Sequence, residues 1–241
     1  MSEGRTPSSA ANAVPDPVSH QDLLPSLARL TRGLSALFWG LPLTLLLSFQ
    51  TARTDWLRSF GVLPPLLTTG LVFYGLLEMR HFQPQSPGWR SALDRALLLG
   101  LVNFGLSPFL YWWSLAPEQP LFSAAVALLV GTAVVFLSLL NLVLGRLGTL
   151  LPDETLRQET SQFTVINRIL LVGTLTLVVV FVLLVNYRHA LPIALAYALM
   201  FLERFGLLLL VAFVLLPLSL TMALLWKAKQ TILDSVFSGR R

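Results

Sequence analysis

Apolar residues in this chain come in long uninterrupted blocks rather than in alternation. From about Leu34 to Trp226, six such blocks follow one another, separated by short breaks that carry arginine. Each block approaches the ~20 residues that a helix needs to cross a ~30 Å hydrocarbon core. The blocks are continuous and leucine-rich, as in Leu207 to Leu216, whereas membrane β-barrels alternate apolar and polar positions over short segments. The pattern predicts an all-α integral membrane bundle of six transmembrane helices, with spans at 34–50, 60–79, 96–116, 121–145, 168–187 and 204–226.

The basic residues predict an orientation for those spans. With the N-terminus inside, the inner segments hold thirteen: Arg5, Arg29 and Arg32; Arg80, Arg90 and Arg95; Arg146, Arg157 and Arg168; Lys227, Lys229, Arg240 and Arg241. The outer segments hold three, Arg53, Arg58 and Arg188, and Arg204 falls on a span boundary. Lysine and arginine concentrate on the cytoplasmic side of membrane proteins, so the split predicts N-in and C-in. The expected organisation is a disordered, proline-bearing cytoplasmic N-terminus over 1–21, a transmembrane domain over 22–226 and a cytoplasmic tail over 227–241. The first apolar run begins too late for a secretory signal peptide.

Shorter features decorate this plan. Asp22 is placed to cap a helix in which Leu23, Leu27, Leu30 and Leu34 recur at helical spacing with Arg29 and Arg32 between them. Such an amphipathic stretch reads as an interfacial helix feeding the first span, with a cytosolic extension of that span's own helix as the alternative. Tyr111, Trp112 and Trp113 end the third span at the depth aromatic rings prefer. Pro117-Glu118-Gln119-Pro120 then makes a tight turn, so spans three and four form a helical hairpin. Asp153, with Glu154 behind it, can cap a helix that runs through Gln158, Ser161 and Asn167 into the fifth span. From Ala190 to Trp226 the chain stays apolar for 37 residues, about 55 Å as one helix and too long for a single crossing. A short element over 191–202, on or dipping into the outer face before the last span, accounts for that length.

Composition agrees with lipid as the solvent. The 241 residues are 55% hydrophobic and 12% charged, against about 25% charged in soluble domains. The net charge of +5 does not point to nucleic acid, because the basic residues flank helix ends. The absence of cysteine excludes disulfides, thiolate metal sites and iron–sulfur clusters. Histidine occurs only at His20, His81 and His189, all in loops or at interfaces. That leaves no base within a span for intramembrane serine chemistry, no plausible haem pair and no zinc ligand set. Gly100 and Gly105 lie in a leucine-rich span without the Lys-Ser/Thr of a phosphate loop. No catalytic residue, cofactor or metal is therefore expected.

The polar residues that remain are the candidates for function. Glu203 and Arg204 interrupt the last apolar stretch; buried deep they would mark a site, and at the surface they mark a helix break. Asn103 and Asn141 are mid-span amides suited to hydrogen bonds between helices. Ser123, Ala127 and Gly131 repeat every four residues, a spacing that lets a neighbouring helix approach closely. Glu78 and Arg80 close the second span and Asp94 and Arg95 open the third; these ends can pair, but simple interfacial anchoring is the expected reading, because exposed ion pairs contribute little. Pro42, Pro64, Pro65, Pro108 and Pro217 are expected to kink the spans that hold them.

Six spans, an N-terminal surface helix and a short outer element before the last span resemble the layout of ABC-2-type export permeases. That resemblance implies a transport subunit served by a cytoplasmic ATPase, and it is one of topology, without a shared motif. The expectation that best fits the scarcity of acid–base residues is a non-catalytic subunit or scaffold of a membrane complex in the plasma (inner) membrane. Its partners would be the lipid bilayer and proteins met through helix faces and the 146–167 cytoplasmic segment.

Overall fold

A computed structural model of the chain describes residues 20–53, 58–82, 87–150, 165–177, 179–180, 183 and 214–232. Among these the secondary structure is helical, without strands. In chain order the elements are α1 (His20–Arg53), a 3₁₀ turn (Arg58–Phe60), α2 (Leu63–Met79), α3 (Pro87–Leu106), α4 (Phe109–Leu115), α5 (Pro120–Leu150), α6 (Val165–Leu177) and α7 (214–232). Among the described residues, three stretches are long and apolar enough to cross a membrane: Pro25–Ala52, Pro87–Leu115 and Pro120–Gly148. Only 33% of each is buried inside the chain, so most of their apolar surface needs another apolar medium. Trp39, Leu46, Leu67, Leu98, Leu121 and Ile169 are among the large side chains left more than half exposed. A contiguous apolar exterior of this kind belongs in lipid.

The amphipathic stretch before the first span is not a separate interfacial helix. It is the first third of α1, a single helix of 34 residues, about 51 Å long. Leu30, Leu34 and Leu37 lie on one stripe of α1 and are fully buried. Protein, not the membrane surface, covers that stripe. Asp22 accordingly sits inside the first turn and not in front of it.

Proline marks helix starts more often than helix kinks. Pro87 and Pro120 open α3 and α5, and Pro64 and Pro65 fall in the first turn of α2. There the missing N–H would have had no intrahelical acceptor. Pro64 and Pro65 therefore do not break the second span, which begins at Leu63 after Gly61 turns the chain with a φ of +58°. Pro108 does interrupt a helix. It separates α3 from α4 and denies Phe104 O its helical donor. Ser107 Oγ fills the gap, donating to Phe104 O at 2.9 Å. Pro42 sits inside α1.

The other boundaries also move. The third predicted span starts nine residues earlier, at Pro87. The fourth continues past 145 to Leu150. α6 is already helical at Val165, ahead of the expected 168, and α7 stays helical through Lys227 and Lys229 to 232, past the expected end at 226. Of the disordered N-terminus expected over 1–21, His20 and Gln21 already belong to α1, and residues 1–19 lie outside the described residues, as do the helix start at Asp153 and the outer element over 191–202.

Packing is a run of antiparallel neighbours. Gly33 and Gly75 bring the backbones of α1 and α2 together: a Cβ on Gly33 would stand 2.7 Å from Gly75 O. Further along the pair, Gly40 meets Val72. α2 and α3 stack Phe73 on Phe104 with centroids 6.4 Å apart, and Arg80 Nε stands 3.7 Å from Asp94 Oδ1 where they approach the loop. The two ends therefore do pair, where plain anchoring was the expected reading. α3, α4 and α5 form the expected hairpin, with Trp112 against Phe122 at the turn, Asn103 bonded to Thr132 midway, and Arg146 donating to Gly88 O at the far end. Phe38 of α1 meets Trp226 of α7 at 5.7 Å. Through these contacts Arg32, Arg80, Arg95, Arg146 and Lys227 collect at one end of the bundle. Tyr111, which lies beside Gly61, and Trp112 occupy the other.

Candidate functional site

Of the four polar candidates, the structure places two. Glu203 and Arg204 lie outside the described residues. Asn103 and Asn141 are both buried, 8% and 2% exposed, and they do not face each other. Asn103 Oδ1 accepts from Thr132 Oγ1 at 2.7 Å, fastening α3 to α5. Asn141 Nδ2 donates to Leu137 O at 2.9 Å within α5 and to Thr221 Oγ1 at 3.3 Å on α7. Thr132 and Asn141 are nine positions apart on α5, so they project from opposite sides of the helix about 13 Å apart along its axis. The two amides thus serve separate helix contacts.

The second contact has a third member that the sequence reading passed over. Asn167 of α6 donates from Nδ2 to Thr221 Oγ1 at 3.0 Å and is fully buried. The sequence places it only on the helix that leads from Asp153 into the fifth span. In the structure it and the adjacent Arg168 part, with Arg168 exposed and Asn167 turned inward. A helix separates neighbours by about 100°, so one faces the bundle while the other faces the rim. Thr221 was equally inconspicuous, as one hydroxyl in an apolar run. Its spacing from Pro217 was the available signal, because a threonine four residues after a carbonyl can bond back to it. Thr221 Oγ1 donates to Pro217 O at 2.8 Å.

Most other hydroxyls in the described helices close the same kind of local bond. Thr69 donates to Pro65 O at 2.7 Å, Thr44 to Gly40 O at 2.7 Å and Thr174 to Leu170 O at 2.8 Å. Such bonds satisfy the side chain within its own helix and let it lie in an apolar setting. Among the described residues two buried side-chain polar atoms lack a partner, Trp89 Nε1 and Asn167 Oδ1. Trp89 packs edge-on to Phe82 in the apolar core. Asn167 Oδ1 belongs to the polar junction.

No known protein family matches the chain, and neither does a curated protein or a solved structure. The site is therefore read from its own chemistry. Among the described residues no group of three or more His, Cys, Asp and Glu could hold a metal ion. The stripe of Ser123, Ala127 and Gly131 has no helix packed on it among the described residues: Ser123 and Ala127 are exposed, and a Cβ on Gly131 would meet nothing within 4 Å. The salt bridge of Asp94 with Arg80, joined by Arg90 at 4.0 Å, is about half exposed. Pairs in that setting contribute about 0–1 kcal/mol. It anchors a loop at the rim.

Proposed function

We propose that this chain is a non-catalytic subunit or scaffold of a membrane complex, built as six spans with both termini in the cytoplasm of the plasma (inner) membrane. The observation that carries the reading is the use of Asn103 and Asn141. Each is engaged in its own helix–helix hydrogen bond, on opposite sides of α5. A transport path would be served by polar groups that converge on one lumen; these diverge. The continuous α1 also removes the surface helix from the features shared with export permeases. The basic residues gathered at one end of the bundle support the inward placement of that end.

Affinity purification of the tagged full chain from native membranes in mild detergent tests the functional half. A stoichiometric membrane protein partner is the expected outcome. A cytoplasmic ATPase in its place would make the chain a transport subunit, and recovery of the chain alone under several detergents would remove the scaffold reading. Cysteine labelling tests the topology, since the chain has no cysteine of its own. A membrane-impermeant maleimide applied to intact cells should label Glu118→Cys and spare Ser8→Cys and Ser238→Cys. Labelling of either tail from outside would overturn the six-span layout.

A further inference from the structure

At the junction of α5, α6 and α7 the amide oxygens are poorly served by donors. Thr221 Oγ1 receives an N–H from Asn141 and another from Asn167. Its single proton serves Pro217 O at 2.8 Å, which leaves Asn141 Oδ1, 3.4 Å from the same hydroxyl, with a long and contested contact. Asn167 Oδ1 has no donor at all and is fully buried. Reversing the Asn167 amide does not cure this. It moves the orphan to the nitrogen, because the Thr221 proton is already engaged.

An unpaired amide oxygen costs about 1–3 kcal/mol when buried in protein, and lipid offers no solvent to relieve it. Three helices nevertheless converge their polar side chains here. We propose that the junction is a binding site for one neutral, donor-bearing guest of the size of a water molecule, held by Asn167 Oδ1 and Asn141 Oδ1. Buried waters occupy such places, making about three hydrogen bonds to polar groups that the protein leaves unsatisfied. Charge argues for a neutral guest over a small cation. Arg168 directly follows Asn167, Arg146 lies five residues beyond Asn141, and Lys227 lies six beyond Thr221. The side chains that meet here, Asn141, Asn167 and Thr221, include no carboxylate to balance a cation's charge. The guest would sit one to two helical turns below the basic rim, a wet point between otherwise dry helices.

The test uses the purified full chain in detergent and a second mutation that isolates the guest. Thr221→Val removes the direct bond of Asn167, so any effect of adding Asn167→Leu in that background reports what else Asn167 holds. An occupied site predicts that the double variant melts about 2–4 °C below Thr221→Val, the shift of ~1 kcal/mol in a chain of this size. An empty site predicts an equal or higher melting temperature, because leucine removes a stranded oxygen. Replacing sodium by choline should leave the wild-type melting temperature unchanged; a sodium-dependent rise would overturn the neutral guest. Should the double variant fail to fold, wild-type protein labelled at its asparagine side-chain nitrogens decides. A cross-relaxation peak between water and the Asn167 amide supports the site, and a visible Asn167 amide without that peak overturns it.

Discussion

The two ends of the sequence hold their helices together by different means. α1 and α2 meet through glycine: Gly33 and Gly75 remove their side chains so that the backbones touch, and Gly40 does the same opposite Val72. α5, α6 and α7 meet through hydrogen bonds among Asn141, Asn167 and Thr221. In water either contact would rest on hydrophobic burial. In lipid that force is absent between helices, because the surrounding chains are as apolar as leucine, and association depends on close packing or on polar bonds. The glycine contact is intolerant of added volume and indifferent to polarity. The amide contact has the opposite sensitivities.

The largest expected effect follows on the glycine side. Gly33→Val places branched carbons where even a Cβ stands 2.7 Å from Gly75 O and 2.9 Å from Met79 Cγ. The first obstacle is backbone, which no rotamer change relieves. Overpacking typically costs about 1–3 kcal/mol and more where nothing yields. The variant should lose most of its monodisperse yield in detergent, or melt at least ~4 °C lower. A wild-type melting curve would mean that α1 and α2 are not in this register.

On the amide side Asn141→Leu removes the bonds to Leu137 O and Thr221 while keeping the branching and the number of heavy atoms of the side chain. Interhelical hydrogen bonds in membranes are worth about 0.6–2 kcal/mol, so a fall in melting temperature of about 2–6 °C is expected. Because the junction is a network, Asn141→Leu and Thr221→Val should not add: the double variant should lose less than the sum of the two single variants. Additive losses would separate the two residues and dissolve the network. Neither variant should alter the α3–α5 contact, which Asn103 and Thr132 hold on the other side of α5.

The contrast also explains what the sequence could and could not reveal. Long apolar helices, the turn at Pro117 to Pro120 and the pairing of α3 with α5 were legible, because block length and turn residues are local signals. The Arg80–Asp94 pair was legible as the alternative to plain anchoring, because both residues flank one short loop. One reading failed and one residue was passed over for the same physical reason, that a partner helix decides which face is covered. Leu30 and Leu34 had the spacing of a surface-seeking stripe, and only the neighbouring helices make it a buried one. Asn167 stood on the helix leading into the fifth span with no face assigned to it, and only α7 gives it a place inside. Pro64 and Pro65 were misread as kinks because the start of α2 depends on Gly61, whose left-handed conformation the spacing did not disclose.

A weaker test lies at the rim, where neither mechanism operates. Asp94→Asn removes the acceptor of the Arg80 and Arg90 pairs. Both arginine side chains are more than half exposed, so the change should lower the melting temperature by no more than about 2 °C. The small loss should shrink further at 1 M salt, where the screening length falls to about 3 Å. A loss as large as that of Asn141→Leu, and insensitive to salt, would show that the loop end of α2 and α3 is a structural centre and not an anchor.

The smallest effect sharpens the comparison most, because it uses the same residue type as the largest. Gly131 lies on α5 in a stripe with Ser123 and Ala127, and by spacing it resembles the glycines of α1 and α2. Around it, however, a Cβ would meet nothing within 4 Å. Gly131→Ala should therefore leave the melting temperature unchanged or raise it slightly, since alanine forms helix more readily by up to about 1 kcal/mol in water. Gly33→Ala, with one carbon added against Gly75 O, should lower it. If both substitutions behave alike, glycine acts in this chain through helix propensity alone. If they diverge as stated, the helix contact and not the residue decides. A loss at Gly131 that appears only in native membranes, and vanishes once the chain is purified, would place another molecule's helix against that stripe.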